Sequence, residues 1–500
     1  MASNEEWCSE VSSKLQREDL RISTLNEIKE HFSSISQLEV SKLVNILSLP
    51  LVFDCLNDTN SEQVDLACEV LSLCMNNLSL GESTNKYDIP LERSLNHPYT
   101  SVKLMALGEI YRNISKEESL VDICKRMSLF MSILKCLGDN DIAVAKRAFD
   151  IMCVIGLSDL GLKTLISSDG MKVAHQVMNV NEVARLRYYE MVINLSKESE
   201  SNFNLLNSTG VFTDIIEELK SNDVLLRMNV VELLTQLGLS HHGFIFLDKS
   251  GVLGELFAMI EDEEQPLTVQ LCEPGILKFF GNMARNKPIE LLSKYPKFFD
   301  RLFSNLESGN LTIVGISLDT LGTIGLSGAG KCALQSTGNR ITYAIKTVIK
   351  LLPSLPTEVR MRALNCLENL LSVTETVTDL TQITRKWYLM FGDEPMELIL
   401  RYAKNPFSEI KLAGLGLLHA LANQTWGQEE INNTPGLVEY LLDRNTETVK
   451  ECKEMKYGII KLLANSSIFD SPTTNRLREY VKEGPFYVHV ITEIAFEGND

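Results

Sequence analysis

The segment from Gly325 to Lys331 is the part of the sequence whose residue types and spacing come closest to a chemical site. It reads Gly-Leu-Ser-Gly-Ala-Gly-Lys and satisfies the pattern of a phosphate-binding loop, in which backbone amides and a lysine bind nucleotide phosphates. Cys332 stands where that motif has the Ser or Thr that binds Mg²⁺. The preceding residues, 311–324, have the periodicity of a helix and not of a buried strand. These departures argue against a nucleotide site.

The glycines of this segment belong to a pattern that recurs along the chain. Gly-Leu-Ser-x-x-Gly occurs at residues 156–161, 238–243 and 325–330, and only the last copy is followed by lysine. A degenerate copy occupies residues 422–427. A second glycine follows each of the four copies: Gly170, Gly251, Gly338 and Gly436. Gly210 is a further glycine of the same kind, although no copy of the motif precedes it. The spacing from Gly170 to Gly210 to Gly251 is about 40 residues, which is typical of armadillo and HEAT repeat arrays.

Other candidate chemistry is weak. His241 and His242 are adjacent, and adjacent histidines without nearby carboxylate or cysteine partners are poor metal ligands. No HExxH motif and no Gly-x-Ser-x-Gly elbow occurs in the sequence. We therefore expect no catalytic residue, no metal and no cofactor, and we expect that the protein is not an enzyme.

The elements that carry the pattern are predicted to be helices. Each unit has two shorter helices, a polar turn and a longer amphipathic third helix. Glycine suits the sharp bend between the shorter helices because it tolerates positive φ, and Gly238 is predicted to be a C-cap. The long third helices are predicted at residues 101–114, 142–156, 182–195, 223–238, 269–285, 312–325, 358–371, 409–422 and 450–464.

The predicted fold is all-α, an armadillo/HEAT-like α-solenoid superhelix. Residues 1–95 are interpreted as irregular N-terminal capping helical repeats, 96–483 as armadillo-like repeats, and 484–500 as a C-terminal tail, all within one continuous solenoid. Residues 262–268 are predicted to form a loop. The tail is left open between an extended segment and a final helix.

The composition limits the classes of partner that the protein is expected to bind. The 500 residues include 48 Lys and Arg against 66 Asp and Glu, a net charge of −18. This charge argues against nucleic acid or an anionic membrane as the main partner, because both are polyanions. The sequence has no run of about 20 apolar residues that would span a membrane. The 11 cysteines are scattered, as expected for reduced thiols in the cytosol or nucleus, and the free chain is expected to be a monomer.

The most informative constellation is a polar ladder on the third helices. When these helices are aligned by their ends, one position is mostly acidic and the position four residues later is mostly an amide, and residues four apart share a helix face. The ladder comprises Glu109, Asn113, Asp150, Glu190, Asn194, Glu232, Gln236, Lys278, Asn282 and Asp319. Stacked repeats would place it along a concave groove. Such a groove would bind a protein surface rich in Arg and Lys. Reversing Glu190, Glu232 and Asp319 to Lys is expected to abolish that binding.

From about residue 90 onward the chain resembles the proteasome non-ATPase regulatory subunit 5 family. The resemblance lies in short stretches that occur in the family's order: His97-Pro98, Ser101-Val102-Lys103, His241-His242-Gly243, Lys278-Phe279-Phe280-Gly281-Asn282 and Glu483-Gly484-Pro485-Phe486-Tyr487-Val488. It implies a non-enzymatic armadillo-like chaperone for assembly of the regulatory-particle base. The expected partners are the C-terminal domain of a base ATPase subunit, that subunit's ATPase partner and the large base scaffold subunit. The family's chaperone leaves before the mature proteasome forms.

Two other classes stay open. One is a generic armadillo adaptor or transport carrier that binds basic protein segments. Such carriers have a regular Trp/Asn ladder on the third helix, whereas Trp7, Trp387 and Trp426 do not repeat in register. The other is a phosphate-loop enzyme, against which the missing Ser/Thr and the recurrence of the glycines both argue.

Overall fold

The computed structural model describes residues 4–261, 266–373 and 378–487, and all regular secondary structure in these ranges is helical. The chain divides into two compact units, Met1–Gly243 and Phe244–Asp500. Helix α18 (His241–Ser250) spans the boundary between them.

The N-terminal unit consists of short and long helices in alternation. Its α-helices are α1 (Asn4–Leu15), α2 (Arg21–Ser34), α3 (Gln37–Ile46), α4 (Leu49–Asp54), α5 (Ser61–Asn76), α6 (Glu82–Lys86), α7 (Asp88–Leu95), α8 (Thr100–Asn113), α9 (Glu117–Lys125), α10 (Met127–Lys135), α11 (Ile142–Gly156), α12 (Asp159–Leu165), α13 (Ser168–Met178), α14 (Glu182–Glu198), α15 (Glu200–Asn207), α16 (Val211–Glu217) and α17 (Val224–Gly238). Single 3₁₀ turns lie at Glu18–Leu20, Cys136–Gly138 and Glu218–Lys220.

The C-terminal unit follows the same plan. After α18 its α-helices are α19 (Val252–Glu261), α20 (Pro266–Asn286), α21 (Pro288–Lys294), α22 (Pro296–Asn305), α23 (Leu311–Gly325), α24 (Gly328–Ser336), α25 (Asn339–Leu351), α26 (Thr357–Leu371), α27 (Thr378–Tyr388), α28 (Pro395–Ala403), α29 (Ser408–Ala422), α30 (Thr425–Asn433), α31 (Leu437–Leu442), α32 (Lys450–Ala464) and α33 (Ser471–Glu483). A 3₁₀ turn at Leu389–Phe391 follows α27.

The nine predicted long helices are all present. They are α8, α11, α14, α17, α20, α23, α26, α29 and α32, and the largest boundary difference is three residues, at the end of α14 and the start of α20. Within the N-terminal unit α8, α11, α14 and α17 pack in sequence, and in the C-terminal unit α20, α23, α26, α29 and α32 do so. Helices α2 and α5 pack in the same succession onto α8, so the stacking of long helices extends into the first 95 residues.

An Asp or Asn caps the start of many long helices. The side chains of Asp141, Asn181, Asp223 and Asn310 each accept a hydrogen bond from a backbone amide in the first turn, with distances of 2.8–3.0 Å for the shortest bond of each. These bonds satisfy amides that have no partner within the helix. The polar turns found in the sequence therefore mark where the long helices begin.

The recurring Gly-Leu-Ser-x-x-Gly segments are corners between a long helix and the next short one. The serine hydroxyl accepts a hydrogen bond from the amide of the closing glycine, at 3.1 Å for Ser158, 3.1 Å for Ser240 and 3.0 Å for Ser327. A Cβ on the closing glycine would lie 2.0 Å from the Ile155 oxygen, 2.1 Å from the Leu237 oxygen and 1.8 Å from the Ile324 oxygen. The motif is therefore accounted for by close packing of two helices.

The glycines divide into two kinds. Gly210, Gly251, Gly338 and Gly436 have φ of 82°, 81°, 64° and 70°, as predicted for the bend between short helices. For Gly170 that prediction is wrong: Gly170 lies within α13, where a Cβ would be 2.2 Å from the Leu165 oxygen. The prediction of a C-cap at Gly238 is wrong: Gly238 is the last helical residue of α17, and the cap is Leu239 in the right-handed region.

Two further predictions concern segments that lie only partly within the described residues. Residues 266–268, predicted as loop, open α20, whereas 262–265 lie outside the described residues. Residues 484–487 follow α33 as a turn, and the rest of the predicted tail, 488–500, also lies outside the described residues. Within the described ranges no single helix is long and apolar enough to cross a membrane, although α23 and α24, bent by 113°, reach that length and composition as a pair.

Candidate partner-binding site

Lys331 does not face a phosphate site. Its side chain is 1% exposed, and its ammonium group donates to the backbone oxygen of Gly325 and, at 2.9 Å, to that of Asn369. Burial lowers the pKa of Lys331 to about 8. The lysine thus links the end of α23 to the end of α26 by hydrogen bonds. Its ammonium group is therefore not placed to bind a phosphate.

The adjacent histidines also have local roles. The Nε2 atom of His242 lies 2.8 Å from the Ser196 oxygen, and its imidazole ring packs 5.2 Å from the ring of Phe203. His241 is exposed at the start of α18. In the described part of the chain no three His, Cys, Asp or Glu side chains are grouped so that they could hold a metal ion.

The first members of the polar ladder are buried, which contradicts their predicted role on an open groove. Glu109 is 5% exposed and Asn113 is 0% exposed. The Glu109 carboxylate accepts hydrogen bonds from Ser83, from Arg112 at 2.6 Å and from Asn113 at 2.7 Å. The Asn113 amide oxygen accepts from the backbone of Gly81. These polar groups hold α6 against α8 and are not available to a partner.

Four ladder residues do come together, on α14 and α17. Glu190 and Asn194 of α14 and Glu232 and Gln236 of α17 line one groove with a volume of 570 Å³. Gln236 donates to the Glu232 carboxylate at 3.2 Å. We call this the α14–α17 groove; its remaining lining residues are Val183, Leu186, Arg187, Ile193, Asn229 and Leu233. Asp150, one repeat earlier on α11, is half-buried and lies 3.7 Å from Lys146.

Arg187, the cation that lines the α14–α17 groove, already donates a hydrogen bond within the protein. The guanidinium of Arg187 donates to the backbone oxygen of Leu137, which lies in the preceding repeat, and burial lowers the pKa of Arg187. Glu190 is exposed. The groove therefore offers carboxylates and amides over an apolar floor formed by Leu186 and Ile193, which suits a positively charged protein surface.

A second groove joins the ladder residues of the C-terminal unit. Lys278 and Asn282 of α20 and Asp319 of α23 line a cavity of 370 Å³. Arg362 lies 3.3 Å from Asp319, and burial raises the pKa of Asp319 in spite of that cation. This α20–α23 groove carries both charges and is less acidic than the α14–α17 groove.

Sequence reasoning missed the residues beside the ladder. Leu186, Arg187 and Ile193 stand three or four residues from a ladder position and therefore border the same face, so helical spacing alone could have found them. The tryptophans are not part of this face: Trp387 and Trp426 are buried on the short helices α27 and α30.

The class of fold follows from these features and from likeness to solved structures. The karyopherin Kap121p, bound to the extreme C-terminus of the protein phosphatase Cdc14p, is similar over 93% of this chain and 48% of its own, with a TM-score of 0.54 and 13% identity. At that identity the likeness shows the fold alone, an armadillo/HEAT-like α-helical solenoid.

The chain belongs to the family of the 26S proteasome non-ATPase regulatory subunit 5. The family model described as "Proteasome non-ATPase 26S subunit" matches residues 4–500. The Bos taurus protein of that name is 31% identical over 97% of this chain and 98% of its own length, and the Homo sapiens protein is 32% identical over 90% and 91%. The Drosophila melanogaster protein is 26% identical over 99% of both chains.

Proposed function

We propose that this protein is a non-catalytic assembly chaperone for the regulatory-particle base of the 26S proteasome. It binds the C-terminal domain of a base ATPase subunit, in an intermediate that also holds that subunit's ATPase partner and the large base scaffold subunit. It is absent from the mature proteasome and acts in the cytosol or nucleus. The observation that carries the proposal is the family match, which spans nearly the whole chain.

The proposed docking surface is the α14–α17 groove, with the α20–α23 groove as a second contact. Glu190 and Glu232 occur at the same position of consecutive long helices and line the same groove. Carboxylates in such an arrangement attract Lys and Arg on a partner, and Asn194 and Gln236 can bond to its backbone. Glu109 and Asn113 are excluded because they are buried.

Binding through exposed charges accords with a chaperone that must later leave. Attraction between exposed charges is screened over about 8 Å at physiological ionic strength. A charged, partly wet interface is typical of transient complexes, whereas obligate ones are larger and more apolar. The complex with the ATPase domain is therefore expected to weaken as salt concentration rises.

The alternative, a carrier of basic segments, rests on the solenoid fold alone. A carrier of that type would use tryptophans on the long helices, whereas Trp387 and Trp426 are buried on short ones. The buried Lys331 likewise withdraws the main support for a nucleotide-binding enzyme.

The direct test is capture of purified base ATPase C-terminal domains by the full-length chain. The double variant Glu190→Lys with Glu232→Lys is expected to lose capture, because two carboxylates in one groove become cations. Glu429→Lys with Glu479→Lys is the charge-matched control, since both glutamates are exposed on other helices. Asp319 is left unchanged because its reversal would also repel Arg362. Equal capture by both double variants would remove the groove from the proposal.

A second experiment tests the chaperone role as a whole. Affinity purification of the tagged chain from cytosol is expected to recover base ATPases and the large scaffold subunit without the 20S core. Recovery of intact proteasomes, or of unrelated basic cargo alone, would contradict it.

A further inference from the structure

Exposed apolar side chains stand near the start of three consecutive long helices of the N-terminal unit. Ile142, Val183 and Leu225 are 77%, 63% and 67% exposed, and each is the first or second residue of its long helix. Single exposed apolar residues are common on protein surfaces. Val183 and Leu225 are in register, each two residues after the cap of its helix, on α14 and α17, which pack together, whereas Ile142 stands one position earlier. We call Val183 and Leu225 the apolar row, a feature of this surface.

This apolar row has a fixed relation to the carboxylates. Val183 precedes Glu190 by seven residues, and Leu225 precedes Glu232 by seven. Seven residues are almost two helical turns, so both members of each pair lie on one face, about 10 Å apart along the helix. Val183 itself lines the α14–α17 groove. The same face therefore carries an apolar edge and, about 10 Å further along, an acidic edge.

The separation of the two edges matches the width of an α-helix, about 10–12 Å with its side chains. A helix laid across the long helices would contact the apolar row with one flank and the carboxylates with the other. Packed helices lie about 8–10 Å apart, which a ligand helix spans in roughly five to seven residues. Side chains seven apart share a face, so one helix can meet successive repeats in the same way.

An extended segment matches this surface less well. At about 3.3 Å per residue, two residues of a strand span only about 6.6 Å, which is less than the separation of about 8–10 Å between long helices. Three residues reach about 10 Å, but side chains alternate along a strand, so successive repeats would then meet opposite faces of the ligand. A strand could place an apolar side chain on the apolar edge and a basic one on the acidic edge in one repeat, but it would turn these side chains away from both edges in the next repeat.

We infer that this face of the N-terminal unit binds an amphipathic helix of the partner, with apolar side chains at seven-residue spacing on one flank and Lys or Arg on the other. The inference rests on the proposed function, because it specifies the chemistry of the partner at the same face. The charge complementarity of Glu190 and Glu232 selects a basic flank and disfavours an acidic amphipathic helix.

The test uses the full-length chain and a fluorescent helical peptide with Leu at positions i, i+7 and i+14 and Lys along one adjacent flank. Val183→Ser with Leu225→Ser is expected to weaken binding about tenfold or more, because two apolar contacts are lost. Ile289→Ser with Tyr343→Ser is the matched control, since these side chains are 61% and 59% exposed in the other unit. A peptide of identical composition with its Leu residues spread around the helix measures attraction by charge alone.

Capture of the base ATPase domain, measured in parallel, separates the two proposals. Loss of both peptide and ATPase domain in Val183→Ser with Leu225→Ser, with retention in the control, supports the inference. Normal ATPase capture by that variant, or equal binding of the two peptides, overturns the inference and leaves the chaperone proposal standing. Peptide binding by a chain that captures no ATPase domain overturns the chaperone proposal and, with it, the partner named here.

Discussion

Replacing Gly330 by Ala tests whether the glycine motif serves helix packing or phosphate binding. A Cβ at this position would lie 1.8 Å from the Ile324 oxygen, and atoms in real structures do not approach a Cβ closer than 3.0 Å. That oxygen belongs to the backbone of α23 and cannot rotate away as a side chain can. Helix α24 must therefore move by more than 1 Å relative to α23.

The expected loss of folding stability can be estimated from substitutions that add atoms to packed protein interiors. Inserting atoms into a packed region costs about 1–3 kcal/mol and occasionally more, while Ala gains at most about 1 kcal/mol of helix propensity over Gly. Because the clash is with backbone, we expect a net loss of about 2–3 kcal/mol. At roughly 2–4 °C per kcal/mol for a unit of this size, the melting temperature should fall by about 4–12 °C.

The matched control is Gly254→Ala. Gly254 lies in α19 of the same unit, and no atom stands within 4 Å of the position of its Cβ. Alanine there is expected to stabilise the unit by about 0.5–1 kcal/mol, because glycine loses more conformational freedom on folding. The two substitutions are chemically identical, so their opposite signs would isolate the close approach at Gly330.

The assay is thermal unfolding followed by tryptophan fluorescence in a Trp7→Phe background. The remaining tryptophans, Trp387 and Trp426, are buried in the C-terminal unit and report on it alone. Nucleotide binding is measured beside it. An unchanged melting temperature together with loss of ATP binding would refute the packing argument and restore the phosphate-loop interpretation.

Three further predictions use the same measurements. Burial lowers the pKa of Lys331 from 10.5 to about 8, so between these pH values the unfolded state binds more protons than the folded state. The free energy of unfolding should therefore rise across that pH range by up to ~3 kcal/mol. Lys331→Met should lack this rise. Asp223→Ala should cost about 1 kcal/mol by removing the cap of α17, whereas Asp223→Asn should cost little. Glu109→Ala should cost about 2–3 kcal/mol because Arg112 and Asn113 lose the buried carboxylate to which both donate. Glu190→Ala should change stability by less than about 0.5 kcal/mol; equal effects would show that burial does not distinguish the two ladder positions.

Much of the fold could be predicted from the sequence because local signals agree. Each long helix has a 3.6-residue apolar pattern, and many begin at an Asp or Asn whose side chain can cap it, as at Asp141 and Asn310. The capping residue and the periodicity locate the same boundary, which explains errors of three residues or fewer. The period of the glycines then assigns the helices to repeats.

The structure departs from sequence reasoning where tertiary packing decides. A glycine at the end of a helix indicates a left-handed cap, but Gly325 ends α23 because a Cβ there would lie 2.5 Å from the Leu370 side chain of the next long helix. The sequence around Gly325 gives no information about Leu370, which lies 45 residues later in the chain. The burial of Glu109 is similar, since it depends on Ser83 from another helix, and the nearest local signal was Arg112 three residues away.

The ladder position also explains why the docking surface is assigned to particular repeats. In α14 and α17 it holds Glu190 and Glu232, whose side chains line an open groove. In α29 the same position is Gly416, where a Cβ would lie 2.3 Å from the carboxylate of Glu368 on α26. Glycine there lets two long helices approach closely, so the position serves packing and has no side chain to offer. A partner that recognises charge on the long helices must therefore bind where the position is occupied by an acid, and two such acids line the α14–α17 groove.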